Sequence, residues 1–176
     1  VMNGPSAPTW LPGAGARMLS YLFRGAPAQM PIPWDAVYLA RWTGFVAQLG
    51  VRYQGSTDIS LVHMTHSTYN GFEMQLPFTP PDLIAWQQAG YTEDLEIGSW
   101  RSVLDAFRAA FPAHPLDVDV HPVLGSDRVA QDVVAHGNST IGARFGVFAA
   151  WWSQNNTGVY PGMFALLRQA AGASFA

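Results

Sequence analysis

The chain has 176 residues, 49% of them hydrophobic and only 12% charged, with a formal net charge of −3. That length and composition suit one domain around one core and give no reason for two. All nine basic residues are arginine, they form no cluster able to neutralise a run of phosphates, and cysteine is absent, so no nucleic-acid partner is expected and neither disulfides nor thiolate metal sites are possible.

The opening stretch to Pro33, rich in Gly, Pro and Ala, reads as a strand stub near Val1 to Asn3 followed by a long loop. It lacks the basic region and apolar run of a signal peptide, and no later run approaches the ~20 apolar residues of a membrane span. The chain is therefore expected to be soluble. From Trp34 onward Tyr38, Trp42, Phe45, Val46 and Leu49 share one helical face, with Asp35 at the start and Gly50 past the end. The apolar run Ile59 to Thr65 predicts a strand covered on both faces. Pro80 to Ala89 predicts a short helix ended by Gly90. Thr92 caps a longer one through Leu95, Val103, Leu104, Phe107 and Phe111, which Pro112 stops.

Leu116 to His121 alternates, placing Asp117, Asp119 and His121 on one face of a strand and Val118 and Val120 on the other. Ser126 is positioned to cap a helix bearing Val129, Val133 and Val134 and stopped by Gly137. Phe145 to Trp152 reads as another buried strand, and a final helix spans Pro161 to Ala171. This order predicts an α/β fold: a single domain over residues 1–176, with about four βα units and parallel strands, forming half of a barrel that in full takes ~250 residues. The competing doubly wound sheet lacks a G-x-G-x-x-G after a strand and a P-loop.

In parallel β/α folds, reactive groups gather beyond the C-terminal strand ends. After the first central strand come His66, Tyr69, Asn70 and Glu73; after the next, His121; after the last, Trp151, Trp152, Gln154 and two asparagines. Aromatic faces for pyranose rings, amides and imidazoles for hydroxyls, and a carboxyl group in a partly apolar loop together suit a sugar. A lone loop glutamate is more often a solvated or capping residue. Trp10 is a second platform or an ordinary loop anchor.

The run from Ile32 to Gly55 followed by ISLVHMTHSTYNGFEM resembles the middle of bacterial glycoside hydrolases with a β/α barrel, the cellulase and β-galactosidase-like group. The resemblance is strongest from Pro31 to Pro77 and implies that Glu73 is the acid/base glutamate at the end of the fourth barrel strand. Asn70 stands three residues ahead of it, where the family places asparagine directly before. The family's nucleophile falls beyond the matched portion. Since glycoside hydrolysis takes two carboxyl groups roughly 5 to 9.5 Å apart, Asp119 is the best local partner, its alternative being an inward polar residue that fills the interior.

His66, Asn70, His121, Trp151, Trp152, Gln154 and Trp10 are then the expected substrate contacts, with no cofactor and no metal. His63 reads as a hydrogen-bonded core histidine, and Glu93 and Glu96 as first-turn helix acids. A homodimer closing the barrel from two copies would cover the open edges of half a barrel. The alternative to a hydrolase is a catalytically silent carbohydrate-binding fragment. A non-sugar hydrolase ranks last because no G-x-S-x-G is present.

Overall fold

The computed structural model describes residues 3–156 and 158–170. Chain order is β1 (Met18–Phe23), β2 (Ala26–Pro31), α1 (Ala36–Tyr53), β3 (Val62–His63), α2 (Pro80–Ala89), α3 (Glu93–Ala110), β4 (Leu116–Asp119), α4 (Arg128–Thr140), β5 (Phe145–Phe148) and α5 (Pro161–Leu167). β1 and β2 form an antiparallel hairpin, and β3, β4 and β5 a separate parallel sheet in that order.

This corrects the half-barrel expectation. Three parallel strands, not four, are present among the described residues; the sheet stays open and no barrel closes. The Ile59 to Thr65 run pairs over only two residues, Val62 and His63, at one edge of the sheet. The Phe145 run leaves the ladder after Phe148, where the chain turns with Trp152 N–H bonded to the Ala149 carbonyl. A two-copy closure of an eight-stranded barrel has no basis in such a sheet. The proposed stub at Val1 and Met2 lies outside the described residues, and Asn3 leads into a 3₁₀ turn at Gly4–Ser6 instead. Ala171, the last residue of the expected final helix, is also outside them.

The opening stretch holds the β1–β2 hairpin where a loop was expected. Arg24 and Gly25 both have positive φ, 53° and 84°, the two-residue turn whose twist matches paired strands. Leu19 and Tyr21 face the core while Ser20 and Leu22 face out.

α1 starts where Asp35 accepts the Tyr38 N–H, but it runs through Gly50 to Tyr53. Gly50 is no stop: a Cβ there would collide with Ala110 of α3, so the glycine lets the two helices touch. Gly137 likewise lies inside α4, which runs on to Thr140, because the Phe145 ring occupies the space a side chain would need. α2 ends at Gly90 in the left-handed conformation, and Thr92 caps α3 by accepting the Leu95 N–H. Asp127, not Ser126, holds the N-cap position of α4, with Ser126 Oγ accepting the Arg128 N–H.

One hydrophobic core joins the layers. Leu116, Val118, Phe145 and Val147 from the sheet share it with Trp100, Val103, Leu104 and Phe107 of α3 and Val129, Val133 and Val134 of α4, all buried. At ~25 cal/mol per Å² of apolar surface this burial drives folding. It also leaves the opposite face of the sheet to Asp117, Asp119 and Phe148. No helix among the described residues is long and apolar enough to cross a membrane.

Candidate functional site

The residues between Met64 and Pro77 form a loop over the C-terminal strand ends, and its conformation is set by many local bonds. Ser67 donates to the Pro31 carbonyl at 2.6 Å, and Tyr21 donates to the Tyr69 carbonyl at 2.6 Å, tying the loop to the hairpin. Gly71, at φ 77°, lies against the backbone of Asn3 so closely that a side chain would not fit. Asn70 Oδ1 accepts the N–H groups of Phe72 at 3.0 Å and Glu73 at 2.8 Å, a side-chain-closed turn that aims the next residues.

Glu73 emerges from that turn half-buried, with Oε2 accepting from the Gln75 amide at 2.8 Å. Directly after it, the Met74 N–H donates to Asp119 Oδ2 at 2.9 Å, and the other oxygen of Asp119 accepts the Ala150 N–H at 3.0 Å. Asp119 thus clips the loops after β3 and β5 to the end of β4. It is 1% exposed, and burial pushes its carboxyl up to about 7; the two N–H groups oppose this, and the negative charges of Glu73 and Asp117 add to it. Glu73 and Asp119 therefore feel each other electrostatically.

His121 joins them. Its Nδ1 lies 3.0 Å from the Pro122 carbonyl, which can only accept, so Nδ1 carries the hydrogen and Nε2 is left as an acceptor. Burial holds its pKa below the ordinary value, against the pull of the Pro122 carbonyl and the Glu73 charge. The ring rests 4.9 Å from Tyr160, and with Gln75, Leu76 and Phe78 it lines a cleft of about 180 Å³.

The remaining predicted residues are dispersed. Trp151 is anchored, its indole N–H donating to the Val120 carbonyl at 2.7 Å and its ring 4.9 Å from Tyr160. Trp152 and Gln154 face outward, Trp152 at 50% exposure. Trp10 is 56% exposed and lines a different pocket, with Tyr38, Arg41 and Phe45. His66 is fully buried, and both ring nitrogens are engaged: the Asn3 amide donates to the Tyr38 hydroxyl, Tyr38 to His66 Nδ1 at 3.0 Å, His66 Nε2–H to Ser99 Oγ at 2.9 Å, and Ser99 to the Glu96 carbonyl. Burial pushes its pKa down to about 3, so the ring is neutral and serves as a core link between α1 and α3.

Gln75, Phe78 and Tyr160 join the candidate site in the structure, although no motif in the sequence points to them. The short spacing of Gln75 from Glu73 was the available signal for the first, whereas Tyr160 reaches His121 only through tertiary packing. Glu96 is a first-turn acid of α3, as its position in the sequence implies, and it is fully buried. His63 is bonded to Asp117, as a hydrogen-bonded histidine should be, but its side chain is 47% exposed. Among the described residues no group of three or more His, Asp or Glu is placed to hold a metal ion. The chain matches no family model, no curated protein and no solved structure.

Proposed function

We propose that this protein hydrolyses a glycosidic bond, with Glu73 as the acid/base group toward the leaving oxygen. The observation that carries this reading is the placement of Glu73. Its half-buried carboxylate stands on a loop braced from three sides at the C-terminal strand ends, oriented by Gln75 and within the field of Asp119 and His121. Such fixed placement gives acid–base catalysis its geometric advantage. His121 Nε2 is an acceptor for a sugar hydroxyl, and the Tyr160 and Phe78 rings supply apolar faces beside it. Asp119 acts as a positioning residue: its oxygens are taken up by the Met74 and Ala150 N–H groups, so it holds the Glu73 loop instead of touching the sugar.

That sealed state of Asp119 favours a second reading, a sugar-binding site without turnover, because hydrolysis normally uses two reachable carboxyl groups. Purified protein assayed on a panel of aryl α- and β-glycosides beside Glu73→Gln separates the two. The hydrolase reading expects nitrophenol release that falls by about 10²-fold or more in the variant, with sugar affinity, read by tryptophan fluorescence, preserved. Binding without release from any glycoside would move the assignment to the second reading.

A further inference from the structure

The polar face of the sheet carries another arrangement one row below Asp119, and the glycoside chemistry does not use it. In the parallel register His63 lies beside Asp117, and His63 Nδ1 is 2.6 Å from Asp117 Oδ1. Asp117 is buried, and its second oxygen has no partner. A carboxylate can only accept, so the hydrogen sits on Nδ1 and the lone pair on Nε2. The His63 side chain is 47% exposed. Phe72 and Phe148 flank the ring at 5.6 and 5.0 Å, both steeply inclined to it, which wedges it in place.

His63 lines a groove of about 600 Å³ whose walls are mostly apolar, with Ile59, Leu61, Val62, Phe107 and Phe111 beside the polar tips of Tyr53 and Thr65. An exposed imidazole oriented by a buried carboxylate, in the wall of a mostly apolar groove, has the parts of a general base beside an acyl-chain site.

We propose that His63 and Asp117 form a second hydrolytic site, in which His63 is the general base toward esters of medium-chain apolar acids. His63 Nε2 takes a proton from a water molecule as that water's oxygen bonds to the ester carbonyl carbon. The tetrahedral adduct collapses, the bond to the leaving oxygen breaks with its electron pair, and the imidazolium returns the proton to that oxygen. Ester and water become acid and alcohol, and His63 ends unchanged. Asp117 does not touch the substrate; it keeps the hydrogen on Nδ1 and stabilises the transient positive ring. Leu61, Phe107 and Phe111 select the acyl chain.

The test is hydrolysis of 4-nitrophenyl hexanoate and 4-nitrophenyl acetate, with free imidazole at equal concentration as reference. The site predicts saturable turnover of hexanoate, a kcat/KM at least about tenfold above that for acetate because the longer chain is buried, and loss of about 10²-fold in His63→Gln. The chain-length preference is read on the unaltered protein and needs no variant to fold. Asp117→Asn should lower kcat more than it changes KM, since it loosens the tautomer and not the groove. A rate no higher than free imidazole, no preference for hexanoate, or a His63→Gln variant with unchanged rate and native circular dichroism would each overturn the proposal.

Discussion

Two of the buried carboxyl groups, Asp119 and Glu96, are accommodated in opposite ways. Asp119, at the end of β4, has each oxygen bonded to a backbone N–H. Glu96, in the first turn of α3, makes no well-formed hydrogen bond and has only a weak contact with the Trp100 indole N–H, and the nearby Tyr91 hydroxyl is also without a partner among the described residues. Burial pushes Glu96 up to about 8, with the Trp100 indole offsetting only part of that rise. The strand end therefore spends its buried acid on organising the loop that carries Glu73, whereas the helix core holds its acid as a neutral group at physiological pH. What separates the two is not burial but the bonds Asp119 makes to the loops on either side of β4.

The largest effect expected from that contrast is at Asp119. Asp119→Ala strands the buried Met74 N–H, releases the N–H of the exposed Ala150 and frees the Glu73 loop, so urea denaturation should show a loss on the order of 3 kcal/mol, and the proposed glycoside turnover should fall with it. A loss below about 0.5 kcal/mol would mean that Asp119 does not clamp the loop.

The next effect, of opposite sign, is at Glu96. Its folded pKa of about 8 lies above the ordinary 4.5, so folding takes up a proton in that interval. Its contribution to stability is full below about pH 4.5 and is lost as pH rises to about 8. Glu96→Gln removes this dependence and should be more stable than the native chain at pH 8 by on the order of 2 kcal/mol, less than the whole linkage because a buried amide also lacks partners. Equal stabilities at pH 5 and pH 8 in both proteins would contradict the contrast.

Much of this was legible in local sequence. The α2 helix, its Gly90 stop and the Thr92 cap rest on short-range rules, and all three stand in the structure. The alternation of LDVDVH placed Asp117, Asp119 and His121 on one face and Val118 and Val120 on the other, and all five are buried. What failed depended on neighbours distant in sequence. Gly50 and Gly137 have the composition signature of helix stops, but each is there because another element passes close by. The hairpin hid because Arg24 adopts a conformation that favours glycine or asparagine, and because Pro27 and Pro31 resemble loop punctuation.

A barrel was read from the order of strands and helices, and order does not reveal whether a sheet closes. Which of Trp151 and Trp152 turns inward was equally unreadable until the Val120 carbonyl was seen to hold the first. The clamp at Asp119 joins residues 45 apart, beyond the reach of any spacing rule.

The central claim is that Glu73 and Asp119 share one electrostatic site at the strand ends. Carbon-13 NMR titration of the Asp119 carboxyl in the native protein and in Glu73→Gln tests it most directly. The account predicts a midpoint near 7 in the native protein and a lower one in the variant, because removing the Glu73 charge removes one of the groups that disfavour ionisation of Asp119. A native midpoint near the ordinary value of about 4, or a midpoint that does not fall in Glu73→Gln, would contradict it.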